Sequence, residues 1–183
     1  MSILRLKRDE VILVAIDFQE KLLPAMAEKE KIEKNIIKFA GGLNVLQIRK
    51  LVTTQYARGL GITTSEVGAA YGEFEEIDKT TFSAYKNEEF KAALLKSGKK
   101  TVILAGIETH ICVEQTALDL LEAGYNVALA ADCARSRDLE NHLLSLERMS
   151  EAGVTITCSE SILYELLGGA KEPEFKAISA IVK

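Results

Sequence analysis

The chain has 183 residues, 48% of them hydrophobic, enough for one domain (1–183) with a sizeable core. A formal net charge of −4 with no run of Lys or Arg argues against a nucleic-acid surface. Three cysteines, Cys112, Cys133 and Cys158, show neither CxxC spacing nor a disulfide framework, which points to a reducing, cytoplasmic setting.

Taken in chain order, apolar runs alternate with helical patterns. A few basic residues precede the run VILVAI at 11–16, but Asp17 interrupts it and no small-residue cleavage site follows. Neither a signal peptide nor a membrane span is expected, and 11–16 reads as a buried strand. Residues 31–46 carry Ile32, Ile36, Phe39 and Leu43 at helical spacing, weakened by Gly41-Gly42. Residues 51–54 read as a second strand, 56–72 with Gly59, Gly61 and Gly68 largely as loop, and 75–79 as a short third strand. A helix is predicted over 87–96, with Asn87 as N-cap and Gly98 as its stop.

The second half repeats the unit more cleanly. Strand 101–106 leads to a helix at 112–123, closed by Gly124. Strand 126–131 leads to a helix at 137–152 with Ser136 as cap and Gly153 as stop. Strand 154–157 is followed by helices at 162–167 and 174–181, the last behind Pro173. Continuous, β-branched strands alternating with helices predict a doubly wound α/β domain, a parallel sheet with helices on both faces.

In such sheets ligands bind beyond the carboxyl ends of the strands, where strand order reverses. Asp17, Lys79 and Cys112 each fall at such an end. Cys112 is the most informative. A cysteine in the first turn of a helix meets unpaired N–H groups and the positive end of the helix dipole, and both favour thiolate. The competing reading is a small buried hydrophobe. Asp17 could take the thiol proton and return it to a leaving group, and Lys79 would stabilise thiolate and carboxylate together. N–H donors between Ile107 and Cys112 could hold an oxyanion, which suits attack on a carbonyl through a thioester. Read singly, Asp17 could equally cap a turn and Lys79 could be a solvated charge. Cys133 and Cys158 are expected to be packed, and His142 to lie on the surface or in packing.

Three blocks, Asp17-Phe18-Gln19, Lys79-Thr80-Thr81-Phe82-Ser83-Ala84 and Gly106-Ile107-Glu108-Thr109-His110-Ile111-Cys112-Val113, resemble the motifs of the isochorismatase-like cysteine hydrolases. Thr53-Thr54-Gln55-Tyr56, Gln115-Thr116-Ala117, Ala131-Asp132-Cys133-Ala134 and Gly168-Gly169-Ala170-Lys171 extend the likeness, which is nearest to the isochorismatase-domain-containing branch. The resemblance implies a sheet of about six parallel strands and an Asp17–Lys79–Cys112 triad. It also implies a cis peptide at Ile107–Glu108 that aims the N–H groups of Glu108 and Cys112 into an oxyanion hole. Gln19, Gln55, Tyr56, Phe82, Thr109 and His110 are the candidates for substrate contact. A homo-oligomer acting on a small amide or carbamoyl substrate follows from the same likeness, with no cofactor, no nucleic acid and no membrane.

Relatives that act on nicotinamide often hold a metal with an Asp and two His near the second strand. This chain has Gln55 at the Asp position and only two histidines, His110 and His142, so no metal is expected. Cleavage of the vinyl ether of isochorismate needs no cysteine nucleophile, so Cys112 also argues against the namesake reaction. The alternative is a catalytically idle relative kept for protein interaction, against which the full set Asp17, Lys79 and Cys112 speaks. A thiol redox role lacks an adjacent resolving cysteine.

Overall fold

The computed structural model describes residues 3–183. Its strands are β1 (Val11–Ile16), β2 (Lys50–Gln55), β3 (Glu75–Lys79), β4 (Thr101–Ile107), β5 (Asn126–Arg135) and β6 (Thr155–Thr157). They form a six-stranded sheet in the order β3-β2-β1-β4-β5-β6, each pair parallel. The chain winds outward from β1 to β3, returns to β4 on the other side of β1, and winds outward again. Strand order therefore reverses between β1 and β4, and their carboxyl ends open a crevice there.

Period-two alternation explains why every residue of β1 is buried. Leu13 and Ala15 face one core with Ile32, Ile36, Phe39 and Leu43 of α1 (Lys29–Val45), Leu163 of α7 (Ser159–Leu167) and Ile178 of α8 (Phe175–Val182). Ile12, Val14 and Ile16 face the other with Phe90 and Leu94 of α4 (Glu88–Ser97), Leu120 of α5 (Glu114–Glu122) and Met149 of α6 (Leu139–Ala152). Each large apolar side chain sealed this way contributes roughly 1.5–3 kcal/mol relative to exposure. No helix among the described residues is long and apolar enough to cross a membrane.

One glycine fixes how closely the two central strands approach. Gly106 has φ +153°, and a Cβ there would stand 2.5 Å from Ile16 Cβ and 2.6 Å from the Ile16 carbonyl oxygen. Only a residue without a side chain lets β4 pass β1 at the mouth of the crevice.

Several expectations need correction. Residues 56–72 hold two short helices, α2 (Ala57–Leu60) and α3 (Ser65–Tyr71), rather than mainly loop. Buried Val67 and Tyr71, one helical turn apart, anchor α3 against α1 despite Gly68. Strand β5 runs four residues past its predicted end because the pairing jumps from Leu104–Leu129 to Gly106–Ala134. The extra residues bulge, and Asp132 within them accepts hydrogen bonds from Ser159 N (2.7 Å) and Oγ (2.6 Å) at the start of α7. Helix α6 is capped by Asp138, not Ser136: its carboxylate accepts from Glu140 N and Asn141 N. Cys112 precedes α5 proper and lies in a single wide turn, Thr109–Val113, where Val113 N reaches back five residues to Glu108 O.

Candidate active site

The crevice between β1 and β4 holds two charged side chains, Asp17 and Lys79, at 0% and 1% exposure. Asp17, the first residue after β1, adopts φ +59°, a left-handed turn that carboxyl side chains tolerate better than most. One carboxylate oxygen accepts from Thr53 Oγ1 at 2.7 Å, the other from Lys79 Nζ at 2.8 Å. Register explains both contacts. Ile16 pairs with Thr53 across β1–β2, and Gln55 pairs with Lys79 across β2–β3. Lys79 also donates to Gln55 Oε1 at 2.7 Å and to the Thr81 carbonyl at 3.3 Å. Both members of the Asp17–Lys79 ion pair are sealed from solvent. A buried charge pair persists where its remaining lone pairs and protons are satisfied, as they are here.

Cys112 enters from the wide turn after β4, 6% exposed, with its thiol 3.9 Å from Gln55 Oε1. Burial, then the negative charge of Asp17, pushes the thiol up to about 12, while Lys79 pulls the other way. This corrects the expectation of a ready thiolate. The position at a helix entry is real, but desolvation and the neighbouring carboxylate outweigh it. The resting site therefore holds a thiol beside the Asp17–Lys79 ion pair.

The turn itself is pinned on three sides. The Ile107–Glu108 peptide is cis. The Glu108 carboxylate accepts from Arg137 Nε (3.0 and 3.1 Å) and Arg137 N (2.9 Å). Thr109 is fully buried against α6, where its hydroxyl meets His142 Nδ1 at 2.9 Å and its carbonyl accepts from Ser145 Oγ at 3.1 Å. Thr116 Oγ1 donates to the Cys112 carbonyl at 2.6 Å and accepts from Ala84 N at 2.9 Å.

Of the side chains expected at the substrate, only some remain available to one. Gln55 reaches the ion pair and the thiol. Tyr56 and Phe82 are 49% and 55% exposed and directly follow Gln55 and Thr81, both of which touch Lys79. Gln19 is fully buried and spends its amide on backbone: Nε2 donates to the Gln55 and Gly61 carbonyls, and Oε1 accepts from Gln55 N. Thr109 points into α6. His110 is half-buried and held by Ser136 Oγ, 2.8 Å from its Nδ1. Gln19 and Thr109 thus shape the site from behind.

Among the described residues no group of three or more His, Cys, Asp or Glu is placed to hold a metal. The metal of the nicotinamide-hydrolysing relatives does not fit this donor set. Gln55 Oε1 is a neutral amide oxygen already taken by the Lys79 ammonium, and the rings of His110 and His142 are bound to Ser136 and Thr109. His142 is buried in packing, and Cys158 is exposed rather than packed, with Ser161 Oγ 3.1 Å from its sulfur. A surface cavity of about 500 Å³ lies at the opposite ends of the strands and is lined by Tyr85, Gly98, Lys100 and Tyr125, away from these residues.

Three contacts that hold the site together have no signal in the sequence. Thr53 and Thr116 are small hydroxyls whose partners follow from strand register and helix packing. Arg137 binds Glu108 through a turn that no periodicity marks.

Residues 11–161 match the family model of the isochorismatase domain. Isochorismatase domain-containing protein 1 of Salmo salar is 37% identical over 172 residues, which is 94% of this chain and 60% of that protein. The chain thus spans about three-fifths of that relative's length. The structure of a MAR1 ribonuclease from Caenorhabditis elegans superposes with TM-score 0.92 at 32% identity, covering 98% of this chain and 92% of its own. YcaC of Escherichia coli, an octameric hydrolase of unknown specificity, superposes with TM-score 0.93 at 23% identity over 99% of this chain and 90% of its own.

Proposed function

Because the chain belongs to the isochorismatase family, we propose that it is a cysteine hydrolase that cleaves a small amide or carbamoyl compound through a thioester on Cys112. The supporting observation is the sealed Asp17–Lys79 pair, 2.8 Å apart, beside the Cys112 thiol at the point where strand order reverses.

In this reading Asp17 accepts the thiol proton as the Cys112 sulfur attacks the carbonyl carbon of the substrate. The C=O electron pair moves onto oxygen, and the backbone N–H groups of Glu108 and Cys112 hold the resulting oxyanion. As the oxyanion collapses, the C–N bond breaks and Asp17 returns the proton to the departing nitrogen. A thioester remains. Water then attacks it, with Asp17 again taking the proton, and the acid leaves as the thiol is restored. Lys79 keeps its own proton throughout and offsets whichever of Asp17 or Cys112 is negative. Tyr56 and Phe82 supply apolar surface to the substrate, and no metal takes part.

The octameric assembly of E. coli YcaC supports a homo-oligomer here as well. The name of the nematode structure adds RNA as a second substrate class to be tested on the same residues.

The test is a turnover screen of small amides, ureides and carbamoyl amino acids, with an RNA arm, using Cys112→Ala as the blank. Intact-mass detection of an acyl group on Cys112 with any amide, together with Cys112-dependent turnover, is the expected result. RNA cleavage that survives Cys112→Ala, with no acyl adduct from any amide, would overturn it.

A further inference from the structure

Gln55 stands between the cation and the thiol. Its Oε1 accepts from Lys79 Nζ at 2.7 Å and lies 3.9 Å from Cys112 Sγ, while Nε2 donates to the Thr80 carbonyl at 3.1 Å. The partners force that orientation, since an ammonium only donates and a carbonyl only accepts. The residue cannot easily withdraw. Gln19, itself fully buried, clamps the Gln55 backbone on both sides, accepting from its N–H at 2.7 Å and donating to its carbonyl at 3.1 Å. With Asp17, Gln55 and the Thr81 carbonyl as acceptors, every N–H of Lys79 is committed.

We propose that Gln55 is a positioning residue for the reacting thiol, keeping Cys112 protonated at rest and holding one Lys79 N–H in reserve for the thiolate. The inference rests on the reading of Cys112 as nucleophile. With the thiol intact, Gln55 Oε1 accepts from both S–H and N–H, so the resting arrangement is satisfied. Once the proton passes to Asp17, the electron pair stays on sulfur and faces the negative end of the Gln55 amide dipole. That contact turns unfavourable, and the Lys79 N–H parked on Gln55 is the nearest donor that can turn to sulfur.

The charged groups facing the thiol are Asp17 from the end of β1 and Lys79 from β3. On its own turn and beyond, Glu108 is bound by Arg137, Glu114 by Arg148 and His110 by Ser136. The amide between thiol and ammonium is therefore the neutral group placed to tune them.

The test is the pH dependence of Cys112 alkylation by iodoacetamide in a Cys158→Ser background, read by peptide mass spectrometry. Gln55→Met keeps the length and removes the carbonyl, so labelling at pH 8 should quicken about threefold or more, as an acidity shift of half a unit gives. Gln55→Glu keeps an acceptor and adds negative charge, so labelling should slow about tenfold, one unit the other way. If Gln55→Met does not fold by circular dichroism, Gln55→Asn, which draws the carbonyl back from Lys79 and sulfur, should shift as Met does. A side chain that only packs would loosen the site in every variant and quicken labelling in all. Shifts in the same direction, or none, overturn the proposal. Labelling needs no turnover, so a failed amide screen and a failed Gln55 assignment remain distinguishable.

Discussion

Lys79 Nζ lies 2.8 Å from Asp17 Oδ2, and neither side chain reaches solvent. Removing one partner leaves the other as an uncompensated buried charge. Lys79→Met should therefore lower unfolding stability by about 3–5 kcal/mol and abolish turnover. Adding Asp17→Asn should restore much of the stability but none of the activity. Urea titrations of the single and double variants check this, and full additivity of the two losses would count against a coupled pair.

The three thiols should react in an order that exposure and charge set together. Cys158 is exposed and Cys133 fully buried, while Cys112 is pushed up to about 12 by burial and by Asp17. Iodoacetamide at neutral pH should label Cys158 first, with no loss of turnover. Cys112 labelling should be slower, should rise about tenfold per pH unit through the neutral range, and should track inactivation. Inactivation that keeps pace with Cys158 labelling would count against Cys112 as nucleophile.

Chelation should leave activity intact. The site offers one carboxylate, already bound to an ammonium, and no histidine cluster. Dialysis against EDTA, followed by assay with and without added Zn²⁺ or Fe²⁺, checks this. Loss on dialysis with recovery on metal addition would instead make a bound metal part of the site.

His142 sets an acid limb of stability. Burial first, then Arg135, lowers its pKa from 6.5 to about 4, with Glu28 opposing. Between those values the unfolded chain binds more protons than the folded one, so stability should fall as pH drops through that window. Above pH 6.5 this contribution is fully present. His142→Gln should flatten the urea-midpoint profile between pH 6.5 and 4. An unchanged slope would place the acid sensitivity elsewhere.

Gly106→Ala should destabilise severely, because the new Cβ would overlap the Ile16 carbonyl oxygen, a backbone atom that cannot rotate away. A loss of at least about 2 kcal/mol is expected, measured by thermal unfolding.

The elements legible in the sequence were those whose evidence is local. VILVAI reads as a strand buried on both faces because every position is apolar, and α4 announces itself through Asn87, whose side chain accepts from Phe90 N, and through left-handed Gly98. Asp17, Lys79 and Cys112 could be nominated from strand ends alone. What could not be read depends on register and burial. Thr53 matters because it pairs with Ile16, and α3 is held by Val67 and Tyr71 against α1 although Gly68 within it and Gly59 and Gly61 before it suggest loop. The acidity of Cys112 divides the same way. The helix entry, Lys79 and the opposing carboxylate of Asp17 can be read in sequence, whereas the desolvation that is the largest effect belongs to the folded chain.

Thr116 bonds the Cys112 carbonyl with its proton and takes the Ala84 N–H on its lone pair. One hydroxyl thus bolts the stretch that carries Phe82 to the stretch that carries the sulfur. Reshaping the stretch around Phe82 therefore pulls on Cys112, whereas the exposed ring of Tyr56 can be exchanged without passing through that joint. Under the proposed chemistry, sequence change has its freer path at Tyr56, and Phe82 sits on the conservative side.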